Sequence, residues 1–254
     1  MSYKTLQVRF EEPVCFVKLY RPESANAIND VMVEEFHKVL ELYEETMTVL
    51  VLEGLPDNFC TGADFQGIHA QMASGRRDGQ DPEPLYELWL RLAAGSFVTI
   101  SHVRGKANAG GVGFVAASDI VIADHTAQFS LSELLFGLFP ACVLPFLIRR
   151  IGFQKANYLT LMTQPISSRQ ALDWGLVDAL DENSGTLLRK HLLRLKCLSK
   201  TGISRYKKYI NKLDQSLSMY KPLAVAANKE LFSDPDNLER IYRYIEKGQL
   251  PWEK

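Results

Sequence analysis

Val103-Arg-Gly-Lys-Ala-Asn-Ala-Gly-Gly-Val-Gly-Phe114 is the stretch on which the fold turns. It leaves an apolar run, Phe97-Val-Thr-Ile-Ser-His-Val103, of the kind expected of a buried parallel strand. It then passes through a glycine-rich turn into small residues whose pattern predicts a helix from Val112 to Ala117. The same arrangement occurs earlier, where the apolar run Thr48-Val-Leu-Val-Leu-Glu53 precedes the loop Asn58-Phe-Cys-Thr-Gly-Ala-Asp-Phe65. Each loop therefore lies beyond the C-terminal end of a strand, where open α/β sheets bind ligands.

Outward from these loops the pattern repeats. Leu6, Val8 and Phe10 alternate, and Val14-Cys-Phe-Val-Lys-Leu19 pairs with them until Arg21-Pro22 ends the run. Asn29 or Asp30 caps a helix whose apolar positions Met32, Val33, Phe36, Val39, Leu40 and Tyr43 recur at helical spacing. Asp119-Ile-Val-Ile-Ala123 is a further short strand. Strand, loop, helix and strand in succession predict an α/β core. Near Ser167 the character changes. Ser167-Ser-Arg-Gln-Ala-Leu-Asp-Trp174 reads as a capped helix stopped by Gly175, and beyond Glu182 the chain is helical. The expected division is a core over 1–182 and a helical region over 183–254.

The bulk properties exclude several classes. The chain has 254 residues, 46% hydrophobic and 23% charged, with net charge −1, so it lacks the clustered basic excess of a nucleic-acid binder. The opening MSYKTLQVRFEEP has no signal-peptide layout. Leu134 to Ile148, the longest apolar candidate, is broken by Gly137, Pro140 and Pro145, so no membrane span is expected. Cys15, Cys60, Cys142 and Cys197 show no metal-ligand spacing and are read as reduced thiols of a soluble cytoplasmic protein. Gln71 to Pro84 reads as a polar loop in which Arg76-Arg77 either meet an acidic partner or, more often for such a loop tip, only solvent.

Gly62 and Ala63 let a backbone N–H approach a ligand closely, and Asp64 is placed to cap the helix that follows. Small residues at Ala109, Gly110 and Gly111 leave room for an acyl group beside a helix N-terminus, where unpaired N–H groups favour negative charge. Two such donors from separate loops form an oxyanion hole, contributing about 3–4 kcal/mol each to lowering a barrier. GKANAGGVG lacks the Gly-Lys-Ser/Thr ending of a P-loop, and each loop alone also fits a tight turn.

FCTGADF, GKANAGGVGF, SDIVIAD and AQFSLSELLFGLFP occur in that order, followed by ISSRQALDWGLVD. In this the sequence resembles the enoyl-CoA hydratase/isomerase (crotonase) superfamily over essentially its whole length. The resemblance implies a ββα spiral core, a helical C-terminal trimerisation region giving a trimer or dimer of trimers, and no metal or redox cofactor. It implies Ala63 and Gly110 as oxyanion donors. Of the two glutamates of hydratases in the family, the first position is here Gly113 and the second is Glu133, set among Leu131, Leu134, Leu135 and Phe136. Desolvation there would raise its pKa toward the range of a general base. One carboxylate suffices to move an α proton of a thioester, but is a poor equipment for adding water to an unactivated enoyl group.

VLEGLPDNFCTGADFQGI is similar to the dehydratase branch of the polyketide β-branching enzymes. That branch removes water from 3-hydroxy-3-methylglutaryl groups on an acyl carrier protein, giving a 3-methylglutaconyl thioester. The expected binding residues are Asp64, Phe65, Lys106, Gly111, Phe136 and Phe139, with Leu144 shaping the acyl pocket and Lys106, Arg91 or Arg104 holding a distal carboxylate. His69 and His102 flank the loops, and Tyr242 and Tyr244 lie where the C-terminal region either covers the acyl arm or merely packs. Two alternatives stay open: a Δ3-Δ2 enoyl-CoA isomerase acting on a CoA thioester, and an inactive binding subunit that kept the fold.

Overall fold

The computed structural model describes residues 3–73 and 81–253. The chain opens as an antiparallel hairpin, β1 (Leu6–Glu11) and β2 (Val14–Leu19), with Leu6 opposite Leu19. α1 (Asp30–Tyr43) follows, and Asn29 is its cap, accepting from the Met32 N–H at 2.9 Å. β3 (Val49–Glu53) leads to β4 (Asn58–Cys60), α2 (Phe65–Ala73) and α3 (Glu83–Ala94). β5 (Val98–Val103), β6 (Lys106–Asn108) and α4 (Gly110–Ala117) form the next unit. β7 (Ile120–Ala123) and β8 (Gln128–Ser130) then lead to a 3-10 turn over Glu133–Phe136. α5 (Leu144–Ile151), α6 (Phe153–Met162), β9 (Ile166–Ser167), α7 (Ser168–Trp174) and β10 (Ala179–Leu180) complete the core. Four helices close the chain: α8 (Ser184–Leu195), α9 (Lys200–Leu213), α10 (Ser216–Ser233) and α11 (Pro235–Lys247).

Two sheets organise these elements. The larger runs β1-β2-β3-β5-β7-β10 and the smaller β4-β6-β8-β9. Each turn of the chain thus gives one strand to the large sheet and the next to the small one: β3 then β4, β5 then β6, β7 then β8. This spiral is the expected α/β architecture, with one correction. Asn58–Cys60 and Lys106–Asn108, which read as loop and turn, are strands of the small sheet, paired in parallel with each other. At three residues each they are too short to show a periodicity of their own.

The apolar run in β3 has a packing reason. Leu50 and Leu52 enter the main core, while Val49 and Val51 on the opposite face pack with Ile100, Ile122, Leu188 and Leu192. α8 therefore covers the outer face of the large sheet, and the strands are buried on both sides. Ser167 caps α7 by accepting from Gln170, and Gly175 ends it at φ +82°, as its spacing predicts. The terminal helices are tied back to the core by polar groups. Lys207 reaches Asp119 at 2.5 Å, the Tyr86 hydroxyl donates to the Leu217 carbonyl at 2.7 Å, and Asn211 donates to the Ala94 carbonyl at 2.9 Å. No helix among the described residues is long and apolar enough to cross a membrane.

Candidate active site

The strands β4, β6 and β8 run in parallel, so their C-terminal ends meet on one edge of the small sheet. From those ends come Ala63, Gly110 and Glu133, and all three line one cavity of about 650 Å³. Gly62, at φ +94°, brings the first loop against the second: a Cβ placed on it would stand 2.7 Å from the Ala109 Cβ and 3.4 Å from the Gly110 nitrogen. The Ile28 N–H donates to the Gly62 carbonyl at 2.7 Å, and the Asp64 N–H donates back to the Ile28 carbonyl at 3.0 Å. Ala109 turns through φ +50°, so that Gly110 begins α4. Among the described residues neither the Ala63 nor the Gly110 N–H has a backbone acceptor. Two unpaired donors from adjoining loops, one at a helix N-terminus, at the wall of one cavity are the arrangement that an oxyanion requires.

Asn108 stitches the three strand ends together. Its Nδ2 donates to the Ser132 hydroxyl at 3.0 Å and its Oδ1 accepts from the Ser130 hydroxyl at 2.8 Å. The segment that carries Glu133 is therefore anchored to the segment that carries Gly110. Glu133 starts the 3-10 turn, which Gly137 stops at φ +80°. Its Oε2 is buried without a hydrogen-bond partner. Burial pushes the carboxyl up to about 7, against the lowering effect of the Glu133 and Ser132 N–H groups. A carboxylate so placed is poised to take a proton near neutral pH. Phe65, Phe136 and Phe139 line the same cavity. Phe136 meets Phe65 and Tyr244 edge to face, each at 5.3 Å, so α2 and α11 close over the turn that holds Glu133.

The enoyl-CoA hydratase/isomerase family profile matches residues 9–254. The chain belongs to the enoyl-CoA hydratase/isomerase family. It is 59% identical over 254 residues to the bacillaene synthase dehydratase PksH of Bacillus subtilis, covering 100% of this chain and 98% of that protein. It is 32% identical over 172 residues to the 1,2-epoxyphenylacetyl-CoA isomerase of Escherichia coli, covering 66% of each. The crystal structure of the Bacillus subtilis protein described as a polyketide biosynthesis enoyl-CoA hydratase (pksH) superposes with a TM-score of 0.97 at 58% identity, over 98% of this chain and 100% of that one. Pseudomonas aeruginosa AtuE superposes at 0.77 with 26% identity, over 99% and 100%. The fold is the crotonase fold of this family, and the chain is an enzyme of the hydro-lyase class.

The glutamate expected at Gly113 in hydratases of the family has no room here. A Cβ on Gly113 would fall 2.4 Å from Cζ2 of Trp89, so an indole holds that volume. Several expected contacts lie elsewhere. Asp64 does cap α2, accepting from the Gly67 N–H at 2.9 Å, but its other oxygen pairs with Arg21 at 2.9 Å, and it does not line the cavity. Lys106 is exposed at the start of β6, two residues below the strand end where the cavity opens. A Cβ on Gly111 would lie 2.2 Å from the Cys60 carbonyl, so this glycine serves the packing of α4 on β4 and does not line the cavity. Leu144 packs against the main core.

None of the three cations proposed for a distal carboxylate lines the cavity, and no lysine or arginine does among the described residues. Arg91 pairs with Glu44 at 2.9 Å, while Arg104 acts on Glu53. His102 bridges Glu53 at 2.9 Å and Ser184 at 2.8 Å inside the core. His69 packs on Tyr242 at 5.1 Å, leaving Tyr244 as the tyrosine that reaches the cavity. Arg76 and Arg77 lie outside the described residues. Sequence reasoning missed Trp89 and Asn108. Trp89 sat unnoticed in an amphipathic helix, and Asn108 lay in full view within the glycine-rich loop.

Proposed function

We propose that this enzyme dehydrates a 3-hydroxy-3-methylglutaryl thioester carried on an acyl carrier protein, giving a 3-methylglutaconyl thioester in polyketide β-branching. The observation that carries the reading is the convergence of Ala63, Gly110 and Glu133 on one cavity, in a chain 59% identical to a bacillaene synthase dehydratase. The thioester carbonyl lies against the Ala63 and Gly110 N–H groups. Glu133 takes the α proton, and the enolate charge falls on the oxygen those donors hold. Collapse of the enolate forms the Cα–Cβ double bond and expels the β-oxygen. That oxygen takes the proton back from Glu133, so water leaves and the carboxylate is restored.

The tertiary β-carbon favours departure of its oxygen, which fits a site with one carboxylate in place of two. No step calls for a metal or redox cofactor, because charge develops only on oxygens within reach of N–H donors. Phe65, Phe136 and Phe139 give the acyl and pantetheine portions an apolar wall.

The test is incubation with the 3-hydroxy-3-methylglutaryl acyl carrier protein, read by mass spectrometry for loss of one water. Glu133→Gln should lower turnover by about 10²–10⁴-fold while the circular dichroism spectrum stays that of the wild type. Absence of water loss, together with turnover of a 3-enoyl-CoA, would replace this reading by the isomerase one.

A further inference from the structure

Trp89 lies on α3 with 1% of its surface exposed, yet it lines the cavity. Its ring is fixed by edge-to-face packing on Phe114 and Phe146, each at 5.8 Å. The ring edge centred on Cζ2 overlies the first turn of α4. A Cβ on Gly110 would stand 3.8 Å from Cζ2, and one on Gly113 would stand 2.4 Å from Cζ2, 2.6 Å from Cη2 and 2.8 Å from Cε2. Nε1 is bonded to Cε2, the ring carbon next to Cζ2.

That N–H is buried and has no hydrogen-bond partner. Leaving a buried donor unpaired destabilises the folded protein, so an orphan at a cavity wall points to an acceptor supplied by the ligand. Two cavity-lining side chains, among the described residues, carry a buried orphan polar atom: Glu133 through Oε2 and Trp89 through Nε1. One accepts and the other only donates. A β-elimination needs this pair of opposites, an acceptor for the α proton and a donor for the departing oxygen. The thioester oxygen is already provided for by Ala63 and Gly110, which leaves the β-oxygen for Trp89.

We propose that the Trp89 indole N–H hydrogen-bonds the substrate β-oxygen and stabilises the negative charge that gathers there as the C–O bond breaks. This rests on the dehydratase reading for its catalytic consequence. The indole transfers no proton. The proton that completes water is the one Glu133 removed from the α-carbon, so atoms and charge balance without a second acid. Gly113 is then the residue that makes room for the donor, because any Cβ there would displace the ring.

Trp89→Phe removes the N–H and keeps a ring against Phe114 and Phe146. With the 3-hydroxy-3-methylglutaryl acyl carrier protein it should lower kcat by about 10–100-fold and change KM by less than threefold. Nitrogen-15 spectra provide a direct readout in the Glu133→Gln protein, where the lowered turnover should let the substrate complex persist. Of its three tryptophan indole signals, the one absent in Trp89→Phe should move downfield with 3-hydroxy-3-methylglutaryl pantetheine. It should stay in place with 3-methylglutaryl pantetheine, which lacks the β-hydroxyl. Wild-type kcat in Trp89→Phe, no movement of the signal, or equal movement with both ligands would overturn the proposal. If the signal answers only the hydroxylated ligand while the wild type releases no water, the donor assignment stands and the dehydratase reading falls.

Discussion

Glu133 is the residue at which environment decides chemistry. A glutamate on the surface is ionised at neutral pH and too weak a base for a thioester α-carbon, but buried here its carboxyl titrates at about 7. In the proposed mechanism the ionised form takes the α proton, so kcat/KM should rise about tenfold per pH unit below 7 and level off above it. A profile flat from pH 5 to 8 would remove Glu133 from the role of base. The same elevation makes a stability prediction of opposite sign. Because the native state holds this proton more tightly than the unfolded chain, stability is lost as pH rises from the ordinary glutamate value to about 7, and the loss is complete above it. Glu133→Gln removes that penalty. It should be more stable than the wild type by up to about 3 kcal/mol at pH 8 and by nothing at pH 4, measured by urea unfolding at each pH.

Among the elements, the small sheet and α11 control the site. β4, β6 and β8 deliver its parts from their C-terminal ends, and α11 lies across the turn that carries Glu133. The closeness of that last contact is set by Gly137. Its φ is +80°, and a Cβ there would stand 2.2 Å from Asn237 Oδ1 and 2.4 Å from Arg240 Nη1. Gly137→Ala should therefore destabilise the protein by about 2 kcal/mol through its left-handed backbone alone. It should also raise KM more than it lowers kcat, since α11 brings Tyr244 to the cavity while the proposed proton transfer rests on Glu133. Thermal melting and steady-state kinetics check both parts, and an unchanged KM would show that α11 does not shape the acyl site. The short strands also explain what the sequence concealed. Asn58–Cys60 and Lys106–Asn108 carry no alternation long enough to read, so Lys106 looked close to the ligand when it stands at the wrong end of its strand.

At the scale of the whole molecule, the C-terminal helices leave apolar side chains in solvent. Met219 is 72% exposed, Leu223 70%, Leu213 66% and Tyr206 62%, more than a stable monomer ordinarily leaves on one region. We expect a trimer through this region, with a mass near three times the 28.7 kDa of the chain in analytical ultracentrifugation. A monomer at micromolar concentration would rule that assembly out. The apolar strands of the large sheet from β1 to β7, the helix caps at Asn29 and Ser167, the stop at Gly175 and the two ligand-facing loops were determined by the sequence itself. These depend on local chemistry: apolar periodicity, side-chain acceptors next to free N–H groups, and glycine where φ must be positive. Gly113 also announced from sequence that a carboxylate was missing. Only the tertiary structure could show what replaced it, because Trp89 is far from Gly113 along the chain and meets it through the packing of α3 on α4. The same holds for the cavity wall, which turned Arg91, Arg104 and Lys106 away and brought Asn108, Glu133 and Gly110 together. Which side chains share a cavity depends on where strands end and helices cross, and those distances are fixed only when the whole core is packed.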